Sequence, residues 1–375
     1  MAAGSNKLSM TNFMDYARTG VIFAVAALLM VSLLEIGRAM ISSITAENVA
    51  PDVPLPDYAF GGLQGIRFPY QDPSTRPTSY ESRLSHLPTF GETSLEGLTL
   101  VNVYELNNMA YTLSSDQHAR QIAIRLGFDE EPHIIDQRTY LYTYPGPPLS
   151  ESLQIDLKTM FVNFESDYLA SSNIFGTFDS RGERQLPQRV EAIAATKQFL
   201  SEGGILPDDL SDEAANVNYL TSIGNSLQPV NSALEADYAE VSLSRSPVWG
   251  TRDGEPEPYN FYGPDGYGSI YAIVGRDTTG RDSVVALKYN YYHMNLDKTG
   301  TYLMRSTASA WESLLAGDAY VLNPRGVRNA VIRSVELGYY ESHAEQNYLL
   351  PIYVFKGDNG VVAYVQALDP RMYTP

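Results

Sequence analysis

The sequence predicts an α+β protein, with an N-terminal transmembrane helix followed by repeated units of one short helix and an antiparallel sheet. Three observations carry that expectation. Residues 20–34, GVIFAVAALLMVSLL, contain no charge and no strong helix breaker. Further on, three amphipathic helical stretches each lead into β-rich runs. Helices and strands do not alternate singly, which favours antiparallel sheets over a parallel βαβ array.

Taken in order, a helix over residues 19–44 comes first. A span needs roughly 20 apolar residues to cross a hydrocarbon layer of about 30 Å. Glu35 and Arg38, three positions apart near one end, pair with each other or reach the headgroups. No A-x-A site closes the segment, so a retained single-pass anchor is expected in place of a cleaved signal peptide. Lys7 and Arg18 precede it, opposed by Asp15, while Glu47, Asp52 and Asp57 follow. That asymmetry makes residues 1–18 a cytoplasmic N-terminus at the bacterial cell membrane and the remainder extracytoplasmic. A pilin-type helix competes, because Gly20 precedes the apolar run as at a prepilin cut, yet Val25 stands where pilins typically carry Glu.

Residues 45–90 carry prolines at 51, 54, 56, 69, 73, 77 and 88 and read as an extended tether. Tyr58, Phe60, Phe68 and Tyr70 suggest that parts of it pack onto the folded region. A first α+β region, 91–246, holds two helix-plus-strands units. SSDQHARQIAIRLG places Ala119, Ile122, Ala123 and Leu126 on one stripe, with Gly127 as the stop. Strands follow near 134–144 and 153–164. The second helix opens at Pro187, carries Val190, Ile193 and Ala194, and ends at Gly203-Gly204, with strands near 219–229 and 238–243.

A second α+β domain, 247–375, begins in a Gly-, Pro- and Tyr-rich stretch, 246–268, that reads as a long loop. Strands 269–274 and 283–292 form a plausible hairpin. The third helix, STASAWESLLAG, sets Ala308, Trp311 and Leu315 on one face. Strands at 331–340, 349–355 and 361–367 close the chain, the last two joined by the turn Gly357-Asp358-Asn359-Gly360.

Composition narrows the function classes. A formal charge of −18 excludes nucleic acid as a partner, because displacing counterions needs clustered Lys and Arg. The absence of cysteine removes disulfides, thiolate metal sites and cysteine nucleophiles together. Tyrosines outnumber phenylalanines 27 to 13, as expected of half-buried sheet with one wet end per ring.

TASAWESLLAGDAYV, VIRSVELGYYES and NYLLPIYVFKGDNGVVAYVQAL together resemble the extracytoplasmic part of YycH/YycI-type regulators of a cell-wall histidine kinase. They are also similar to uncharacterised single-pass proteins of candidate-phylum bacteria. A short helix followed by an antiparallel sheet is similar to the build of PepSY-like domains. The resemblance is clearest over 306–368 and architectural over 102–243, and its motifs are packing motifs. It implies a membrane-tethered regulatory protein that binds another envelope or membrane protein, with no catalytic residues and no cofactor.

The candidate chemistry agrees. His86, His118, His133, His293 and His343 form no short metal-ligand spacing. Asp208, Asp209, Asp212 and Glu213 lack the alternating ligands and fixed glycine of a calcium loop, and Asp277 and Asp282 flank a turn. No nucleophile elbow or phosphate loop is present. The remaining candidate is a partner-binding aromatic group, Trp249, Tyr259, Phe261, Tyr262 and Tyr267, since Trp and Tyr are enriched at interface hot spots. Two other classes stay open: a structural subunit of a pilus or surface assembly, and an envelope polysaccharide or peptidoglycan hydrolase using paired carboxylates.

Overall fold

The computed structural model describes residues 55–93, 98–106, 113–146, 149–170, 177–178, 184–185, 188–276 and 281–374. Strands dominate them, and the expectation of an α+β fold is corrected to a mostly β one. The α-helices among the described residues are α1 (Leu113–Arg125), α2 (Arg189–Gly203) and α3 (Thr307–Ala316). None of them is long and apolar enough to cross a membrane. The expected single-pass transmembrane helix is therefore not found among the described residues, and residues 19–44 themselves lie outside them.

Several of the strands have compositions that do not announce them. Met294–Leu303 carries Asn, Asp, Lys and Gly, and its alternation is broken by a bulge between Asn295 and Thr299 where it pairs with Thr99–Leu106. The expected loop 246–268 is mostly a hairpin, Val248–Arg252 paired with Glu255–Tyr262. The expected strand 153–164 is two strands, Glu151–Asp156 and Val162–Ser166, divided by a turn at which Asp156 accepts from the N–H groups of Lys158 and Thr159 at 2.9 Å each.

Two large sheets result. The nine-stranded one is antiparallel throughout, in the order Ser226–Val230, Leu210–Ile223, Tyr238–Arg245, Ile270–Arg276, Asp282–Tyr289, Val162–Ser166, Glu151–Asp156, Thr139–Tyr144, His133–Ile134. It takes strands from both sides of residue 246. Ala119, Ile122 and Ala123 of α1 and Ala192, Ile193 and Leu200 of α2 pack on one of its faces, against Leu153, Ile155, Val241, Leu243 and Leu287. The other face has a smaller cluster, Leu149, Tyr168, Leu220, Tyr238, Ile273 and Val285.

The ten-stranded sheet runs Val248–Arg252, Glu255–Tyr262, Asn329–Tyr340, Tyr348–Gly357, Val362–Gln366, Tyr320–Leu322, with four further strands off this path. Its central strand is apolar along nearly its whole length because both faces are covered. Leu349, Tyr353 and Phe355 face the main core, and Ile352 and Val354 face a second cluster bordered by Ile66 and Phe68. Helix α3 covers the main core, with Ser306 capping its start and left-handed Gly317 its end. Its buried residues are Thr307, Ala310 and Leu314, and of the expected stripe Trp311 packs half-buried on the core against Phe355 while Leu315 is exposed, so the inward face is turned from the expected one.

Residues 55–90, expected as a tether, are strapped to this sheet. Leu63 is fully buried, and its backbone bonds those of Met372 and Thr374 at 2.9 and 2.8 Å. Ser79–Ser82 adds a parallel strand beside Asn329–Tyr340. Phe68 stacks on Tyr320 with centroids 5.5 Å apart, whereas Tyr70 stays exposed.

His343 sits where the two sheets meet, in the segment between Asn329–Tyr340 and Tyr348–Gly357, with Nδ1 3.9 Å from Asp265. Burial holds its pKa below the usual histidine value, helped by Lys288 and opposed by Asp265. The native state therefore keeps His343 neutral where the unfolded chain is already protonated, and stability falls as pH drops below about 6.5. We expect the denaturation midpoint to decrease between about pH 7 and about pH 5.5, and His343→Gln to flatten that decrease. An unchanged slope in the variant would remove His343 from the account.

Candidate functional site

Strand alternation separates the five aromatic residues that the sequence groups together. Trp249 faces Pro258 across the hairpin, and Val248 faces Tyr259. Successive residues point to opposite faces, so Trp249 and Pro258 look outward while Tyr259 and Phe261 enter the main core. Trp249 is 71% exposed, against 3% for Tyr259 and 5% for Phe261.

The hairpin is held from beneath. The Tyr259 hydroxyl accepts from the backbone N–H groups of Gly91 (3.1 Å) and Thr251 (2.9 Å) and donates to the Thr251 carbonyl (2.6 Å). Burial pushes its pKa up, opposed by those two backbone donors. Its ring occupies the space over Gly250, where a Cβ would stand 2.0 Å from Cε2. Tyr262, at the end of the second strand, donates to Glu336 at 2.5 Å, and Lys356 bonds the same carboxylate at 2.7 Å. Burial and then Glu336 raise the Tyr262 pKa. These four residues thus comprise one surface tryptophan and three structural aromatics.

Tyr267 belongs to a different place. It lines a cleft of about 730 Å³ on the nine-stranded sheet, together with Asn218, Leu220, Leu227, Glu240 and Tyr271. Ala239, Val241 and Leu243 point to the helix-covered face, so Glu240 points to the opposite one. Glu240 is 7% exposed. Its Oε1 accepts from the hydroxyls of Tyr267 (3.2 Å) and Tyr271 (2.9 Å), and its Oε2 from the Asn218 amide (2.9 Å). The two tyrosine rings lie 4.9 Å apart. Burial, and then Glu240, push the Tyr267 hydroxyl up to about 12 and raise Tyr271 as well. Glu240, Asn218 and Tyr271 escaped the sequence reading. The available signal was one charged side chain within YAEVSL, a strand otherwise apolar enough to be buried on both faces.

The other candidates are structural pairs. Asp209 bonds Arg245 at 3.0 Å, Asp212 pairs with Lys197, and Asp282 bonds Arg276 at 2.6 Å, while Asp277 lies outside the described residues. Among the described residues no three His, Cys, Asp or Glu gather to hold a metal. A cleft of about 610 Å³ near Arg67, Arg138 and Glu345 also contains paired ions, Arg138 with Asp156 and Glu345 with Lys158.

No family model matches the chain, and no curated protein matches it. Among solved structures, an uncharacterised protein from Eubacterium rectale ATCC 33656 is 14% identical over 72% of this chain and 82% of that one, with a TM-score of 0.37. The Bacillus megaterium YpeB C-terminal domain is 13% identical over 69% and 93%, with a TM-score of 0.28. At such scores neither likeness carries fold or function across. The PepSY-like resemblance stays with the residues that suggested it.

Gly250→Ala should displace the Tyr259 ring and cost about 1–3 kcal/mol in denaturant unfolding, the usual penalty of overpacking. A variant as stable as the parent would show that the ring does not hold the hairpin.

Proposed function

We propose that this protein is a non-enzymatic binding or regulatory protein that docks another protein through the Trp249 face of its hairpin. The exposed indole of Trp249 is the supporting observation. It stands on the outermost strand of the ten-stranded sheet, on a hairpin fixed by the Tyr259 hydroxyl, with Pro256 and Pro258 on the same face. A tryptophan on a rigid element offers a large contact area for little ordering entropy, which is why tryptophan recurs at hot spots. The resemblance to YycH/YycI-type regulators directs the search for the partner to proteins of the cell envelope.

The test is quantitative recovery of partners by in-cell crosslinking from the parent chain and from Trp249→Ala. Loss of a hot-spot tryptophan should weaken a specific partner by roughly thirtyfold or more, equivalent to at least about 2 kcal/mol. The melting temperature should not change, because the side chain is exposed. Equal recovery of the same partners from both chains would contradict the proposal.

A further inference from the structure

Three charged residues stand among the buried polar side chains: Arg245, Glu341 and Glu240. Arg245 and Glu341 neutralise each other. Glu240 forms no ion pair with any described Lys, Arg or His, although taking a carboxylate out of water without a counter-charge is costly. Three hydrogen bonds offset part of that cost. An ionised carboxylate offers about four acceptor positions. Those three donors leave one, and Glu240 borders the 730 Å³ cleft.

We propose that this cleft binds an alkylammonium group, supplied either by a free amine or by a lysine side chain of a protein, with Glu240 as its counter-ion. The cleft's other polar groups fit this chemistry better than a metal ion. Glu240 is the one carboxylate among the described residues that line the cleft. A calcium or magnesium site needs at least six oxygens, and one carboxylate does not supply them. An alkylammonium needs one carboxylate and gains from aromatic surface, which Tyr267 and Tyr271 provide. Leu220 and Leu227 line the same cleft and suit the methylene stem of such a ligand. The site is separate from the Trp249 surface and does not depend on it.

The experiment titrates the full-length protein with cadaverine, with Nα-acetyl-lysine methylamide and with 1-pentanol, reading heat and the NMR signals of the Tyr267 and Tyr271 rings and the Asn218 amide. Saturable binding of either amine, with those signals shifting and pentanol failing to compete, is expected. The tighter of the two amines identifies the source of the group. Glu240→Gln preserves the acceptor at Oε1 and should weaken the amine at least about tenfold, since it removes the partner charge of a desolvated pair. It should lower the melting temperature only modestly, because Oε1 keeps both tyrosine hydroxyls while Nε2 replaces the oxygen that accepts from Asn218. Should that variant fail to fold, the comparison of amine with pentanol on the parent chain decides the matter. Absence of saturable amine binding, equal binding of pentanol, or unchanged affinity in a folded Glu240→Gln would overturn the proposal.

Discussion

Arg245 is the charge on which the junction of the two sheets depends. It ends the strand Tyr238–Arg245 of the nine-stranded sheet, is 2% exposed, and reaches across to Glu341, immediately after the strand Asn329–Tyr340 of the ten-stranded one. Nε donates to Glu341 Oε1 at 2.6 Å, Nη1 to Asp209 and to the Tyr291 hydroxyl at 3.0 Å each, and Nη2 to the Tyr292 carbonyl. The guanidinium also lies 3.9 Å from the centroid of the Tyr291 ring. Burial alone would lower its pKa. Glu341, Tyr291 and Asp209 outweigh that effect, and the group remains firmly charged. Only a planar fork with five donors meets partners in this many directions, which excludes lysine at the position.

The interleaved chain path makes such a junction necessary. Leaving Arg245, the chain builds the hairpin of the ten-stranded sheet, returns for Ile270–Arg276 and Asp282–Tyr289 of the other sheet, then crosses again into Met294–Leu303. Each sheet keeps its own apolar core. The Arg245 cluster gathers both crossings: Tyr291 and Tyr292 lie on the second crossing, between Asp282–Tyr289 and Met294–Leu303, and Phe261, from the hairpin, lies 5.7 Å from the guanidinium. Glu240 and Arg245 share one strand, so the same structural element carries the neutralised charge and the unneutralised one.

Local signals in the sequence were the easiest to read. Gly204 and Gly317 end α2 and α3 in the left-handed conformation that glycine favours. The Asp358–Gly360 turn and the strands on either side also lie where apolar periodicity and turn chemistry put them. Long-range effects were not legible. Met294–Leu303 loses its alternation at the exposed bulge 296–298, and Val248–Tyr262 carries glycine and prolines because Gly250 must pass beneath Tyr259 and Pro256 and Pro258 face outward. Both segments are strands through pairing, not propensity, and their omission is what made the chain look α+β. Residue type alone groups Trp249, Tyr259 and Phe261, and the alternation of the hairpin strands, hidden in a stretch with the composition of a loop, puts Trp249 outside and the other two in the core.

The Arg245–Glu341 pair fastens one sheet to the other, and a double-mutant cycle in denaturant unfolding tests this most directly. Arg245→Met alone strands Glu341 in the core and should cost about 3–5 kcal/mol, whereas Arg245→Met with Glu341→Leu should recover much of that loss. If Arg245→Met is neutral, or if the two losses simply add, the two sheets are held together by something else.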